Sequence, residues 1–186
     1  MLYLVSGASR TGKSILAKRV LDERHIPFVS LDWLVMGFTG GLPGQGIHDK
    51  LMPDEIAAKM WGFVEAMLTS MLWVGGDYVI EGEALLPGDV RGLMDRYPDE
   101  VRACFLGYAD VDAEAKLAEI RAYRSDERDW LVKESDETIR GHIANMVSHS
   151  RKMQAGCAKH GVRYFDTAVD FLQTLDDAMA YLMGSA

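Results

Sequence analysis

Short apolar runs recur along this chain between longer stretches in which apolar residues repeat at helical spacing. That alternation is the pattern of parallel βαβ construction. Leu2-Tyr3-Leu4-Val5 predicts a buried strand over about residues 2–6, and Ile15-Leu16-Ala17 with Val20-Leu21 predicts a helix over about 13–24. His25 to Leu31 predicts a second strand ending at Asp32, and residues 36–50, with Gly37, Gly40, Gly41, Gly44, Gly46 and Pro43, predict a loop. Pro53-Asp54-Glu55 starts a long helix to about Trp73, whose Ile56, Met60, Phe63, Val64, Met67, Leu68 and Met71 share one face. A third strand follows at Tyr78–Gly82, a short helix after Pro87, and a fourth strand over 101–108. Helices are expected over 112–123 and 136–160, a fifth strand over 161–166, and a last helix marked by Phe171, Leu175, Met179 and Leu182. The expected architecture is α/β, a single doubly wound sheet of five parallel strands over residues 1–186. Ligands of such sheets gather at the carboxyl ends of the strands.

One segment turns this architecture into chemistry. Gly7-Ala8-Ser9-Arg10-Thr11-Gly12-Lys13-Ser14 matches G-x-x-x-x-G-K-[ST] in full, between the first strand and the first helix. The glycines let the backbone wrap a phosphate, and the helix start aims unpaired N–H groups at the anion. Lys13 supplies a cation for the β- and γ-phosphates, and the Ser14 hydroxyl can ligate Mg²⁺. The segment therefore predicts binding of a nucleoside triphosphate.

Composition narrows the partners. With 48% hydrophobic and 26% charged residues, the 186-residue chain has the make-up of an ordinary globular domain. A net charge of −8 argues against a broad nucleic-acid footprint, which needs a basic face. Cys104 and Cys157 give neither a disulfide framework nor a metal spacing, and read as buried reduced thiols. The chain has no apolar run of transmembrane length, and its amino terminus is already the first core strand. The expectation is a cytoplasmic protein, monomer or homodimer, whose partner is a small-molecule acceptor, with neither nucleic acid nor membrane.

The phosphate loop, the chain length and the charged segment after the fourth strand together resemble the small P-loop kinases, the group of shikimate, gluconate and adenylate kinases and chloramphenicol phosphotransferase. Val79-Ile80-Glu81-Gly82-Glu83-Ala84-Leu85-Leu86-Pro87-Gly88 is similar to the segment after strand three in 2-phosphoglycerate-kinase-like proteins. The resemblance implies a three-layer P-loop NTPase fold with strand order 2-3-1-4-5 and a small lid. It also implies ATP and Mg²⁺ as the reaction's companions. A Walker-B acid in its usual form, four apolar residues then Asp, is missing.

Within that frame Asp32 is placed to orient an acceptor hydroxyl and take its proton; capping of the turn Trp33-Leu34-Val35 explains the same residue. Glu81 is the candidate for the magnesium side and Glu83 for the substrate side, against solvated loop acids. Residues 33–74 are expected to bind the acceptor, with Gly41, Gly44 and Gly46 permitting close approach and His48, Lys50 and Arg91 meeting an anionic group. Residues 121–135 are expected to form the lid, bringing Arg128, Arg124 or Arg121 to the charge that spreads over the transferred phosphoryl oxygens. A solvated, salt-bridged helix fits that stretch too, because Asp126, Glu127 and Asp129 are interleaved. Thr167 is a candidate for the adenine site, or the N-cap of the last helix. The leading expectation is an ATP-dependent phosphotransferase, a small-molecule kinase acting on the hydroxyl of a metabolite. The alternatives are a nucleotide-operated regulatory ATPase, or a toxin- or antibiotic-resistance-type kinase of the same fold.

Overall fold

Every residue of β1 (Leu2–Gly7) is buried, which the centre of a parallel sheet covered on both faces requires. In the computed structural model, which describes residues 1–122 and 130–184, β1 pairs in parallel with β3 (Tyr78–Glu81) and β4 (Val101–Gly107). Two short strands flank them, β2 (Phe28–Ser30) on β3 and β5 (Arg163–Asp166) on β4. The strand order is β2-β3-β1-β4-β5, as the resemblance implied.

Alternation along the strands divides the interior in two. Leu2 and Leu4 of β1, Ile80 of β3 and Phe105 of β4 face a core shared with α3 (Pro53–Val74), α4 (Pro87–Arg96) and α6 (Asp136–His160). Tyr3, Val5, Val79 and Leu106 face the opposite core, closed by Leu16, Ala17 and Val20 of α1 (Lys13–Arg24) and Leu175, Ala178 and Leu182 of α7 (Phe171–Met183). The result is three layers, helix on sheet on helix. Cys104 and Cys157 are both free and buried, and burial pushes both thiols up, Cys157 to about 12. Among the described residues, no helix is long and apolar enough to cross a membrane.

Three expectations are corrected. The second strand stops at Ser30, and Leu31–Gly41 forms a helix, α2, where a loop was expected from residue 36. Leu31 and Val35 bury on the core, with Leu34 and Phe38 packed against it, and this apolar spacing outweighs the poor helix propensity of Gly37, Gly40 and Gly41. Glycine's freedom is used only later in that stretch: Gly46 has φ +65, whereas a Cβ at Gly41 or Gly44 would meet nothing within 4 Å. Thr167 does not cap the last helix. Its hydroxyl donates to the Gly107 carbonyl, and Asp170 caps α7 by accepting from the Gln173 N–H at 3.0 Å.

Candidate active site

The phosphate loop is held by what surrounds it as well as by its own sequence. Gly7 has φ +127, and a Cβ there would collide with the Leu106 carbonyl oxygen of β4. Gly12 has φ +89, and a Cβ there would sit 2.9 Å from the Phe171 ring of α7. Both positions therefore require glycine for backbone conformation and for close packing. Between them Arg10 adopts φ 60, a left-handed conformation uncommon for a side chain of this kind. The Ala8 N–H donates to the Leu106 carbonyl, and the Thr11 hydroxyl donates back to the Ala8 carbonyl at 2.8 Å. From outside the loop, the Tyr108 hydroxyl donates to the Ser9 carbonyl at 3.0 Å, while the Tyr108 N–H donates to Ser150 on α6.

Lys13 is almost fully buried, and its ammonium donates to the Ala8 carbonyl at 2.7 Å. It lies 3.8 Å from a Glu83 carboxylate oxygen. The next residue, Ser14, donates its hydroxyl to Glu81 Oε2 at 3.2 Å. Glu81 is the last residue of β3 and is 2% exposed, so this oxygen pair forms the floor where β1 and β3 end. A hydroxyl and a carboxylate are hard oxygen donors of the kind Mg²⁺ takes beside phosphate oxygens and water.

Gly82 turns the chain after β3. It has φ +153, and a Cβ there would stand 2.8 Å from the Leu31 Cβ. That contact sets the exits of β2 and β3 side by side, so Asp32 and Glu83 line one cleft of about 630 Å³. Ser6 adds a tie, donating to the Leu85 carbonyl at 3.3 Å. Burial pushes the Glu83 carboxyl above its ordinary value; Lys13 pulls it down, and the negative charge of Asp32 adds to the rise. Asp32 is exposed in the first turn of α2. It is not the N-cap, a position occupied by Ser30. Asp49, Met36, Ile56 and His142 complete the walls. Burial and the neighbouring Arg10 charge push the His142 imidazole down, toward its neutral form.

A second cleft, of about 860 Å³, opens on the other side of the same loop. Arg10 and Gly12 line it together with Lys116 and Glu119 of α5 (Ala113–Ala122) and Thr167, Ala168 and Val169 after β5. Asp166 shapes that last turn by accepting from the N–H groups of Ala168 at 2.9 Å and Ala109 at 3.2 Å. Lys116 is 4% exposed, lies 4.8 Å from the centre of the Tyr108 ring and pairs with Glu119 at 2.9 Å.

Lys13, Ser14, Glu81, Glu83, Asp32 and Thr167 are thus gathered around one loop. His48, Lys50 and Arg91 are not among the lining residues of either cleft. Arg91 pairs with Asp95 one turn further along α4, and His48 has a buried Nδ1 without a hydrogen-bond partner among the described residues. Arg121 reaches from the end of α5 to the Glu134 carbonyl at 2.7 Å and to Asp136 at the start of α6. Arg124 and Arg128 lie outside the described residues. Tyr108 and Lys116 were not singled out in the sequence; the available signal was Lys116 standing four residues before the buried Ile120, on the apolar face of its helix.

No family model matches the chain, and no curated protein matches it significantly in sequence. Solved structures do. A shikimate kinase from Bacteroides thetaiotaomicron superposes with a TM-score of 0.57 at 14% identity, covering 100% of this chain and 97% of that one. A gluconokinase from Sinorhizobium meliloti gives a TM-score of 0.58 at 15% identity, covering 99% of this chain and 92% of that one. At such identities the likeness establishes the fold, that of the small P-loop kinases. It does not bear on the narrower similarity of residues 79–88 to 2-phosphoglycerate-kinase-like proteins.

Proposed function

We propose that this protein is an ATP-dependent phosphotransferase that moves the γ-phosphoryl group to a hydroxyl of a small molecule. The observation that carries the reading is that the phosphate loop forms a wall common to two clefts, Ser9 lining one and Arg10 and Gly12 the other. A nucleotide-operated switch needs one cleft. A kinase needs two, meeting at the γ-phosphate. That two proteins of this fold are named as kinases of shikimate and gluconate supports the reading.

On this reading the nucleotide base occupies the cleft of Thr167, Ala168 and Lys116, and Ala8 to Ser14 bind the phosphates through backbone N–H groups, the Lys13 ammonium and the Ser14 hydroxyl. Ser14 and Glu81 would hold Mg²⁺, which would supply positive charge for the nucleotide phosphates. The acceptor lies in the cleft of Asp32 and Glu83. Its hydroxyl oxygen bonds to the γ-phosphorus as the bond to the bridging oxygen breaks, and ADP departs. Asp32 takes the hydroxyl proton. It suits that role better than Glu83, which burial holds toward its protonated form. The lid arginines Arg124 and Arg128 belong to this proposal as cations for the transferring phosphoryl group.

The test is acceptor-dependent release of ADP from Mg-ATP across a panel of small alcohols, sugars and nucleoside monophosphates, with the phosphorylated product identified by mass. ATP hydrolysis indifferent to every acceptor would instead identify a regulatory ATPase.

A further inference from the structure

Tyr108 is not among the lining residues of either cleft, yet its contacts run from one to the other. It directly follows β4, is buried, and has its N–H fixed on Ser150 of α6. On the nucleotide side, the Lys116 ammonium lies 4.8 Å from the ring centre, within range of a cation held by an aromatic face. On the loop side, the Tyr108 hydroxyl donates to the Ser9 carbonyl at 3.0 Å. Burial, and after it the Glu83 charge, push that hydroxyl up, so near neutrality it stays protonated and able to donate. Ser9 continues the line. Its own hydroxyl donates to the Glu83 carboxylate, and both residues line the acceptor cleft. The tether also grips the loop beside Arg10, whose left-handed conformation the surrounding structure has to hold.

From this line of contacts we infer that Tyr108 is a positioning residue for the acceptor: through Ser9 it holds the Glu83 carboxyl in place in the cleft where the hydroxyl compound binds. The inference rests on the phosphotransfer reading and extends it from the residues in the cleft to one behind them. Ser9 is held at two points, its carbonyl on Tyr108 and its hydroxyl on Glu83. Releasing the first lets the backbone of Ser9 shift, and the hydroxyl moves off the carboxyl with it. A carboxyl held by a fixed donor presents its other oxygen to a ligand in a set direction, and small misplacements of such groups are costly in rate. Tyr108 thus serves both sides of the phosphate loop, steadying its backbone for the nucleotide and its Ser9 side chain for the acceptor.

The experiment compares the full chain with Tyr108→Phe, Ser9→Ala and the double variant at saturating Mg-ATP, using the hydroxyl compound that releases ADP fastest in the acceptor panel. Saturation removes any weakening of ATP binding from the comparison. Each single variant is expected to lose about tenfold in kcat/KM for the acceptor, and the double variant no more than the larger single loss, because both break one line of contact. Independently of turnover, isotope-labelled glutamate in the ligand-free chain is titrated by NMR, with Glu83→Gln identifying the Glu83 signal. Donation from Ser9 favours the ionised carboxyl, so Glu83 titrates at higher pH in both single variants. Lys13, Asp32 and Glu81 also act on that carboxyl, and neither substitution removes them. A parental acceptor kcat/KM in Tyr108→Phe overturns the inference and confines Tyr108 to the nucleotide. Additive losses in the double variant, or a Glu83 titration unmoved by Tyr108→Phe, overturn it too. Each of these leaves the phosphotransferase reading standing. Absence of acceptor-dependent ADP release from the parent, with ATP still bound, overturns the phosphotransferase reading and this inference together.

Discussion

The Lys13 ammonium stands 3.8 Å from a Glu83 carboxylate oxygen and donates to the Ala8 carbonyl of its own loop. A buried cation is thereby kept paired in the ligand-free protein, at the place where phosphate oxygens would compete for it. Lys13→Ala should abolish most phosphotransfer and weaken ATP binding. Calorimetric ATP binding and circular dichroism check the two halves, and normal turnover by a well-folded variant would remove Lys13 from the mechanism.

Glu83 gives a pH dependence. Its carboxyl is raised above the ordinary value of 4.5 by burial, so the folded protein holds this proton more tightly than the unfolded chain. Its contribution to stability is present below that ordinary value and is lost as pH rises through the raised one. Glu83→Gln removes this loss. The variant should melt at the same temperature as, or above, the parent at neutral pH, with the gap closing toward pH 4; a gap that widens toward acid would reverse the assignment.

Asp32→Asn should leave ATP affinity nearly unchanged, because on the proposed reading the phosphate loop, and not Asp32, binds the nucleotide. Turnover should fall by roughly 10²–10⁴-fold, the usual worth of a positioned general base. Single-turnover kinetics with a working acceptor decide it. Full activity in the variant would move the role to Glu83.

Lys116→Met keeps the aliphatic stem against Tyr108 and removes the charge from the second cleft. The KM for ATP should rise by about tenfold with little change in melting temperature. Were the acceptor's KM to change instead, the two clefts would have been assigned the wrong way round.

Tyr108→Phe deletes the hydrogen bond to the Ser9 carbonyl and nothing else of the ring. A bond of this kind is worth about 1 kcal/mol. ATP affinity should drop by about fivefold, and hydrogen exchange of the Ser9 and Arg10 amides should quicken. Unaltered exchange would mean that the loop holds its shape without the tether.

Legibility followed locality. Lys13 and Ser14 could be read because their chemistry is written in eight consecutive residues, and the βαβ alternation around them needs only short windows. Helix α2 could not, since its glycines argue against a helix locally while the burial of Leu31 and Val35 decides for one only after α3 and the sheet are in place. Asp49 lines the cleft where neighbouring His48 and Lys50 do not, a distinction of backbone direction that composition does not carry. The cap of α7 was within reach: Asp170 stands three residues before Gln173, the spacing of a capping box, whereas Thr167 drew attention by residue type alone. Lys116 is the opposite case, a lysine whose burial depends on Tyr108 arriving from another strand's end.

Gly82 lines neither cleft, yet its missing side chain governs one of them. With the Leu31 Cβ 2.8 Å from where a methyl group would stand, any larger residue must push the exits of two strands apart, carrying Asp32 away from Glu83. The acidic end of the cleft is therefore a fixed gauge, its span determined from behind by backbone contact. Change in acceptor size has to be accommodated at the opposite end, where Met36 and Ile56 can be exchanged for smaller or larger side chains without moving a strand. A search for altered specificity would begin with those two positions and leave the acids as they are.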